Sequence, residues 1–270
     1  MANTLADIRC FLLDMDGTIY LGNRLLPGAA EFISVLRRQG LEYLFLTNNS
    51  SRDKQAYVDK LAAMGIKAGR DQVLTSGEAT AIYLQRVRPG AKVFLLGTPA
   101  LAREFAAHGF QVVSKADSPD YVILGFDTTL TYQKLWDACD LIREGTKYVA
   151  THPDFNCPLE GGNYMPDAGA IIAFIEASTC RRPKIIGKPN KEIVEAALTR
   201  TSAQRGETAI VGDRLYTDIA MGIAAGLTSI LVLSGETRQE DLDGSQFRPD
   251  YVFASVGELV QALERDKMPD

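Results

Sequence analysis

Paired cysteines, long apolar runs and an excess of basic charge are all missing from this chain of 270 residues. Its four cysteines, Cys10, Cys139, Cys157 and Cys180, stand singly, and neither histidine sits at zinc-ligand spacing, which argues against a structural zinc site. They read as reduced thiols. No segment approaches the roughly 18 consecutive apolar residues of a membrane span. The first residues, Met1 to Arg9, show no basic stretch followed by an apolar one. The expectation is a cytoplasmic protein with no membrane partner. With 29 Lys and Arg against 34 Asp and Glu the net charge is −5, so the basic face that nucleic-acid binding requires is not expected either. The one dense basic cluster, Arg181-Arg182-Pro183-Lys184, reads as a solvated hinge, or as an attractant for an anionic substrate if it lies near a site. Repeats and low-complexity tracts are absent.

What is present is an ordinary globular composition, 46% hydrophobic and 23% charged, with material for two modest cores. Strand-like runs alternate with helical patterns throughout: Cys10 to Leu13, Tyr43 to Leu46, Val73-Leu74, Val93 to Leu96, Tyr121 to Leu124, Tyr148 to Ala150, Ala209 to Val211 and Ser229 to Leu233. That alternation predicts an α/β fold with parallel sheets. The spacing of Phe32, Val35 and Leu36 predicts a helix over 29–38, and that of Tyr57, Val58, Leu61 and Met64 one over 52–64, ending near Gly40 and Gly65. Residues 78 to 181 contain enough alternating elements to form a domain of their own, joined to the rest near Ser76-Gly77-Glu78 and near Ser178 to Pro183. Before the second junction runs a polar loop, Thr151 to Gly169, long enough to suggest an ordered lid.

Four strand ends carry the chemistry. Asp14-Met15-Asp16-Gly17-Thr18 follows the first apolar run and places two carboxylates two residues apart, where open α/β sheets bind ligands. Gly17 lets a ligand approach the backbone and Thr18 adds a hydroxyl; an acidic turn closing a strand is the bland alternative. Thr47-Asn48-Asn49-Ser50-Ser51 gathers hydroxyls and amides at a helix start, which suits a phosphate oxygen, although Ser50 or Ser51 can also serve as a plain N-cap. Gly187-Lys188-Pro189 holds a lysine in a restricted backbone, as a partner for carboxylate and phosphate or as a surface residue. It is not a Walker A lysine, because proline stands where Ser or Thr belongs. Gly212-Asp213, with Asp218 five residues on, offers a cation ligand; Asp218 can cap a helix from Ile219, bond Lys188 or reach an ion through water. Carboxylates and a phosphate dianion repel in a partly dry crevice, so a divalent cation and a fixed ammonium are needed to share it. Mg2+ fits an all-oxygen donor set best.

In this order, Asp14/Asp16, Thr47-Asn48-Asn49, Lys188 and Gly212-Asp213 with Asp218, the motifs resemble those of the haloacid dehalogenase (HAD) superfamily. The segments 13–20, 47–51 and 211–218 are similar to its NagD or 4-nitrophenylphosphatase group with a C2-type cap. The resemblance implies a Rossmann-like core domain over 1–78 and 182–270 with an inserted smaller α/β cap over 79–181. It implies hydrolysis of small phosphomonoesters, such as sugar phosphates or nucleotides, with 4-nitrophenyl phosphate as an artificial substrate. Pyridoxal phosphate and phosphoglycolate are alternative substrates. Asp14 is then the nucleophile and Asp16 the acid and base. Mg2+ is held by Asp14, the Asp16 carbonyl and Asp213. Thr47, Asn48, Asn49 and Lys188 bind the phosphoryl group, with Asp218, Gly17 and Thr18 in support. The cap loop supplies His152, Asp154, Asn156 and Asp167 as substrate contacts, unless His152 serves packing alone. Pairing through the cap into a homodimer is consistent with the same resemblance. A phosphoaccepting signalling module is the non-enzyme rival, disfavoured by chain length, and metal-free dehalogenation is disfavoured by Asp16 and Asp213.

Overall fold

The computed structural model describes residues 4–159 and 163–265. Two compact units divide the chain: Met1–Thr47, Gln55–Leu74 and Ala197–Asp270 form unit 1, and Asn48–Lys54 with Thr75–Ala196 form unit 2. The first stretch of chain runs through β1 (Cys10–Asp14), β2 (Tyr20–Leu21), β3 (Arg24–Leu25), α1 (Ala29–Arg38), β4 (Glu42–Thr47), α2 (Lys54–Ala63) and β5 (Val73–Thr75). It continues with α3 (Ser76–Val87), β6 (Lys92–Leu96), α4 (Pro99–Ala107), β7 (Gln111–Val112), β8 (Tyr121–Leu124), α5 (Tyr132–Arg143) and β9 (Lys147–Ala150). Next come β10 (Asn156–Pro158), β11 (Tyr164–Pro166), α6 (Ala168–Thr179), β12 (Lys184–Ile185) and α7 (Lys191–Leu198). Unit 1 is completed by β13 (Thr208–Gly212), α8 (Ala220–Ala225), β14 (Thr228–Val232), α9 (Asp241–Gly244), β15 (Tyr251–Phe253) and α10 (Val256–Arg265).

In unit 1 a six-stranded sheet has the order β15-β14-β13-β1-β4-β5. β1 pairs in parallel with β13 on one side and β4 on the other. Every residue of β1, β13 and β14 is buried, as a parallel sheet covered on both faces requires, and this is why those strands read as unbroken apolar runs. The helix expected over 29–38 forms over those residues and buries Phe32, Val35 and Leu36; Phe32 meets Phe11 of β1 edge-on at 5.9 Å between ring centres. Register fixes what stands at the sheet's carboxyl edge: Leu13 lies opposite Val211 and Phe45, and Asp14 opposite Leu46. Asp213 therefore follows directly on β13, and Thr47 ends β4, the two strands that flank Asp14.

Unit 2 has a second sheet, β12-β9-β8-β6-β7, parallel at every pairing. Ala138, Leu141 and Ile142 of α5 and Ile171, Ile172 and Ile175 of α6 pack with Val122, Leu124 and Ala150 of its strands. The α/β architecture with parallel sheets is thus present twice. The expected lid loop contains structure of its own, an antiparallel hairpin of β10 and β11; residues 160–162 of that loop lie outside the described residues. No helix among the described residues is long and apolar enough to cross a membrane.

Candidate active site

At the carboxyl edge of the unit 1 sheet three acids converge. One carboxylate oxygen from each of Asp14, Asp213 and Asp218 lies within 4.8 Å of the others, and all three residues are buried. The turn after β1 is wound tightly: the Met15 carbonyl accepts from the N–H groups of Thr18, Ile19 and Tyr20. That winding puts Gly17 at φ +90°, and a Cβ there would collide with Asp213 Oδ2. Any side chain would cost both backbone strain and the space of the carboxylate. Gly235, after β14, would also strike Asp213 if it carried a Cβ. Asp213 Oδ2 accepts from the Glu236 N–H at 2.7 Å, and Ser234 Oγ donates to the Gly17 carbonyl at 2.9 Å, so this one loop braces both halves of the edge. The Thr18 hydroxyl is buried with no hydrogen-bond partner among the described residues.

The helical turn after β13 begins earlier than expected. Residues Leu215–Ile219 form a π-helical turn that leads into α8, and this corrects the helix start placed at Ile219. Asp218 is therefore inside the turn and does not cap a helix behind it; its Oδ2 accepts from the Arg214 N–H and from Thr217 Oγ1, both at 3.3 Å.

Asp16 differs from its neighbour two residues back. Its side chain is 42% exposed, with Lys60 Nζ 3.9 Å from Oδ1 and the Tyr20 hydroxyl donating to Oδ2 at 3.4 Å. Burial, and secondarily the Asp16 charge, push the Tyr20 phenol well above its ordinary pKa, so it is a neutral donor.

Within unit 2, Lys188 is 2% exposed and held by its backbone. Its N–H donates to Asn48 Oδ1 at 2.9 Å, and its carbonyl accepts from Asn48 Nδ2 at 3.1 Å. Asn48 Nδ2 also reaches Asp154, at 3.2 and 3.3 Å from the two carboxylate oxygens. The preceding residues extend β9 pairing, Ile186 N–H donating to the Ala150 carbonyl and Gly187 N–H to that of Thr151. Asn49 Oδ1 accepts from the N–H and the hydroxyl of Ser51 in a local turn. Ser50 Oγ lies 3.0 Å from Thr151 Oγ1 and accepts from the Phe126 N–H. For His152, packing is what the structure shows. The residue is fully buried, with Nε2 2.8 Å from Asp167 Oδ1 and Nδ1 2.8 Å from Thr151 Oγ1. Burial disfavours its charge, but the Asp167 hydrogen bond and charge outweigh this and raise its pKa. Asp167 also caps α6 through the Ala168 N–H. Asn156 stands exposed on β10.

A haloacid dehalogenase-like hydrolase family model matches residues 11–111, and a HAD-hydrolase-like model matches residues 185–259. The acid sugar phosphatase of Staphylococcus saprophyticus is 37% identical over 97% of this chain and 100% of its own. The chain belongs to the haloacid dehalogenase-like hydrolases. Among solved structures, a 4-nitrophenylphosphatase from Thermotoga maritima is 49% identical, with a TM-score of 0.91 over 95% of this chain and 98% of that one. NagD from E. coli K-12 is 36% identical, with a TM-score of 0.86 over 93% and 98%. The NagD-like resemblance read from the motifs holds, and the chain is an enzyme, a HAD-type phosphatase. A phosphoaccepting signalling module is set aside on these findings.

Unit 1 brings Asp14, Asp213 and Asp218 together, with Gly17 and Thr18 in the same turn. Thr47 ends unit 1, while Asn48, Asn49 and Lys188 are grouped within unit 2. Sequence reasoning missed Glu236, whose N–H bonds Asp213, Gly235, which leaves space for that carboxylate, Ser234, which bonds the Gly17 carbonyl, and Lys60 and Tyr20, which touch Asp16. Tyr20 closes the motif that begins at Leu13, and Lys60 lies one turn after Tyr57 on the face assigned to the core; those positions were the available signal.

Proposed function

We propose that this hydrolase is a Mg2+-dependent phosphatase of small phosphomonoesters, sugar phosphates foremost, acting through an aspartyl-phosphate. The observation that carries the reading is the convergence of the Asp14, Asp213 and Asp218 carboxylates at one strand edge. Three buried acids this close repel unless a cation accompanies them, the donors are all oxygen, and Gly17 and Gly235 leave room where a Cβ would intrude, so the residues fit Mg2+. Asp14, the Asp16 carbonyl and Asp213 would hold it, with Asp218 supporting; bound there, the ion would neutralise charge on the phosphoryl group.

In this mechanism an Asp14 carboxylate oxygen attacks phosphorus while the bond to the leaving oxygen breaks, and Asp16 delivers a proton to that oxygen. Asp16 then takes a proton from water, whose oxygen displaces Asp14 and releases inorganic phosphate. Thr47, Asn48, Asn49 and Lys188 bind the phosphoryl oxygens. Because the Asn48 amide is also bonded to the Lys188 backbone, it serves in addition to orient the lysine. Functionally the core is 1–78 and 182–270 and the cap 79–181, although compactness groups 48–54, 75–78 and 182–196 with the cap. Support for sugar phosphates comes from the name of the Staphylococcus relative, and for 4-nitrophenyl phosphate from that of the Thermotoga structure. A cytoplasmic setting and pairing of caps belong to the same reading, the latter supported by the exposed Tyr132, Trp136 and Phe174 beside a 260 Å3 cavity of unit 2.

The test is phosphate release from sugar phosphates, nucleotides, pyridoxal phosphate, phosphoglycolate and 4-nitrophenyl phosphate, with Mg2+ and with chelator. Sugar phosphates should be turned over, chelation should abolish release, and Asp14→Asn should lower kcat by about 10⁴-fold or more. Undiminished release by Asp14→Asn would overturn the mechanism, and preference for pyridoxal phosphate or phosphoglycolate would move the substrate class.

A further inference from the structure

Asp16 must present one carboxylate oxygen to a leaving group, yet it is the most exposed acid of its motif and sits on a turn rather than in the sheet. An aspartate so placed rotates among several side-chain conformers unless something outside its own backbone restrains it. Two side chains touch it from opposite ends of the carboxylate. Lys60 Nζ, from α2, is 3.9 Å from Oδ1, and the Tyr20 hydroxyl, at the start of β2, is 3.4 Å from Oδ2. The two restraints are themselves joined: Lys60 Nζ stands over the Tyr20 ring, 3.8 Å from its centre. Tyr20 is fully buried, so its ring is a fixed platform, and a cation on the ring face is held by the ring's own charge distribution. A bridge between Asp16 and Tyr20 further locks the turn that carries the acid.

We infer that Lys60, seated on Tyr20, is a positioning residue for Asp16, fixing the carboxylate in the conformer that delivers the proton to the leaving oxygen. The inference rests on the phosphatase reading above, in which Asp16 is the proton donor. Lys60 has no part in binding phosphate here; it acts through Asp16.

Proton delivery matters in proportion to how poor the leaving group is. An alkoxide such as that of a sugar needs its proton, whereas 4-nitrophenolate departs without one, so misplacing Asp16 harms transfer to Asp14, read as kcat/KM, far more for the first substrate than for the second, while its base role in the shared hydrolysis step bears on kcat of both alike. The variants are Lys60→Met, which keeps the apolar stem over the ring and removes the charge, Lys60→Arg, which restores charge, and Tyr20→Phe, which removes the hydroxyl and keeps the platform. Lys60→Met should lower kcat/KM for a sugar phosphate by about 10–30-fold and for 4-nitrophenyl phosphate by no more than about 3-fold. Lys60→Arg should recover kcat/KM for the sugar phosphate to within about 3-fold of wild type, and Tyr20→Phe should show the same leaving-group signature at smaller amplitude. In an Asp16→Asn background, Lys60→Met should add nothing, because the group it positions is gone. Equal losses of kcat/KM on both substrates, additivity with Asp16→Asn, or a Lys60→Met enzyme faster than wild type would each overturn the inference. A wild-type protein that hydrolyses neither ester would instead overturn the phosphatase reading on which it stands.

Discussion

The chain builds a parallel α/β sheet twice, and the two carboxyl edges have been put to opposite uses. In unit 1 the two central strands β1 and β13 lead into acids, Asp14 and Asp213, and glycines, Gly17 and Gly235, leave room around Asp213 by their missing side chains. In unit 2 the strands end in small and hydroxyl residues, Gly97-Thr98, Gly125-Phe126 and Thr151-His152, and that edge is filled. Leu101 lies where a Cβ on Gly97 or Gly125 would go, Ser50 bonds both Thr151 and the Phe126 backbone, and Thr98 caps α4 through the Leu101 N–H. A parallel sheet edge is a place where a site can be built; what the strands end in decides whether one is.

The same one-carbon change at each edge should therefore have different consequences. Gly235→Ala drives a methyl into the Asp213 carboxylate, and we expect kcat to fall by more than about 100-fold while the melting temperature moves little. A Gly235→Ala enzyme with near wild-type turnover would erase the distinction at its strongest point. At the filled edge the expected losses are in stability. Asp167→Asn keeps an α6 cap but removes the charge beside buried His152, and should cost about 1–3 kcal/mol by urea unfolding at pH 6. The sign follows from the direction of the shift. A histidine whose pKa is raised in the folded protein contributes stability that is complete below its ordinary value and is lost as pH rises through the raised one. The gap between wild type and Asp167→Asn should then shrink at pH 9; a gap that widens with pH would show that the pair is not charged in the folded state. Smallest is Gly97→Ala, where the flexible end of Leu101 can give way: about 1–2 kcal/mol of stability should be lost, with kcat for 4-nitrophenyl phosphate changed by less than about 3-fold. A loss of turnover there larger than the loss of stability would mean that the filled edge also serves the chemistry.

Much of both sheets could be read from the residues. All eight expected runs became strands, because strands covered on both faces must be apolar throughout. β7 was not legible, since Gln111 and Val112 are both exposed at the sheet's edge, nor was β15, three residues long and partly exposed. The β10–β11 hairpin was hidden by Pro158 and Pro166, which read as loop punctuation. The π-helical turn at Leu215–Ile219 escaped because apolar periodicity signals ordinary helix and not a wider first turn. In the site, Asp14 and Asp213 were legible because each follows its own apolar run. Gly235 and Lys60 were not, because each earns its position through a contact far away in sequence. Asp218 was legible as an acid but not in its setting, and Asn48 as a donor but not in its bond to Lys188.

That last bond has a consequence for how the lysine is held. The Asn48 amide gives a hydrogen bond to the carbonyl of Lys188 and takes one from its N–H, the same exchange a neighbouring strand would make with a residue beyond the end of β12. One side chain thus stands in for a strand where the sheet has run out. Aspartate in its place keeps only the acceptor and leucine keeps neither partner, so position 48 is constrained as backbone is constrained, by the pairing it completes.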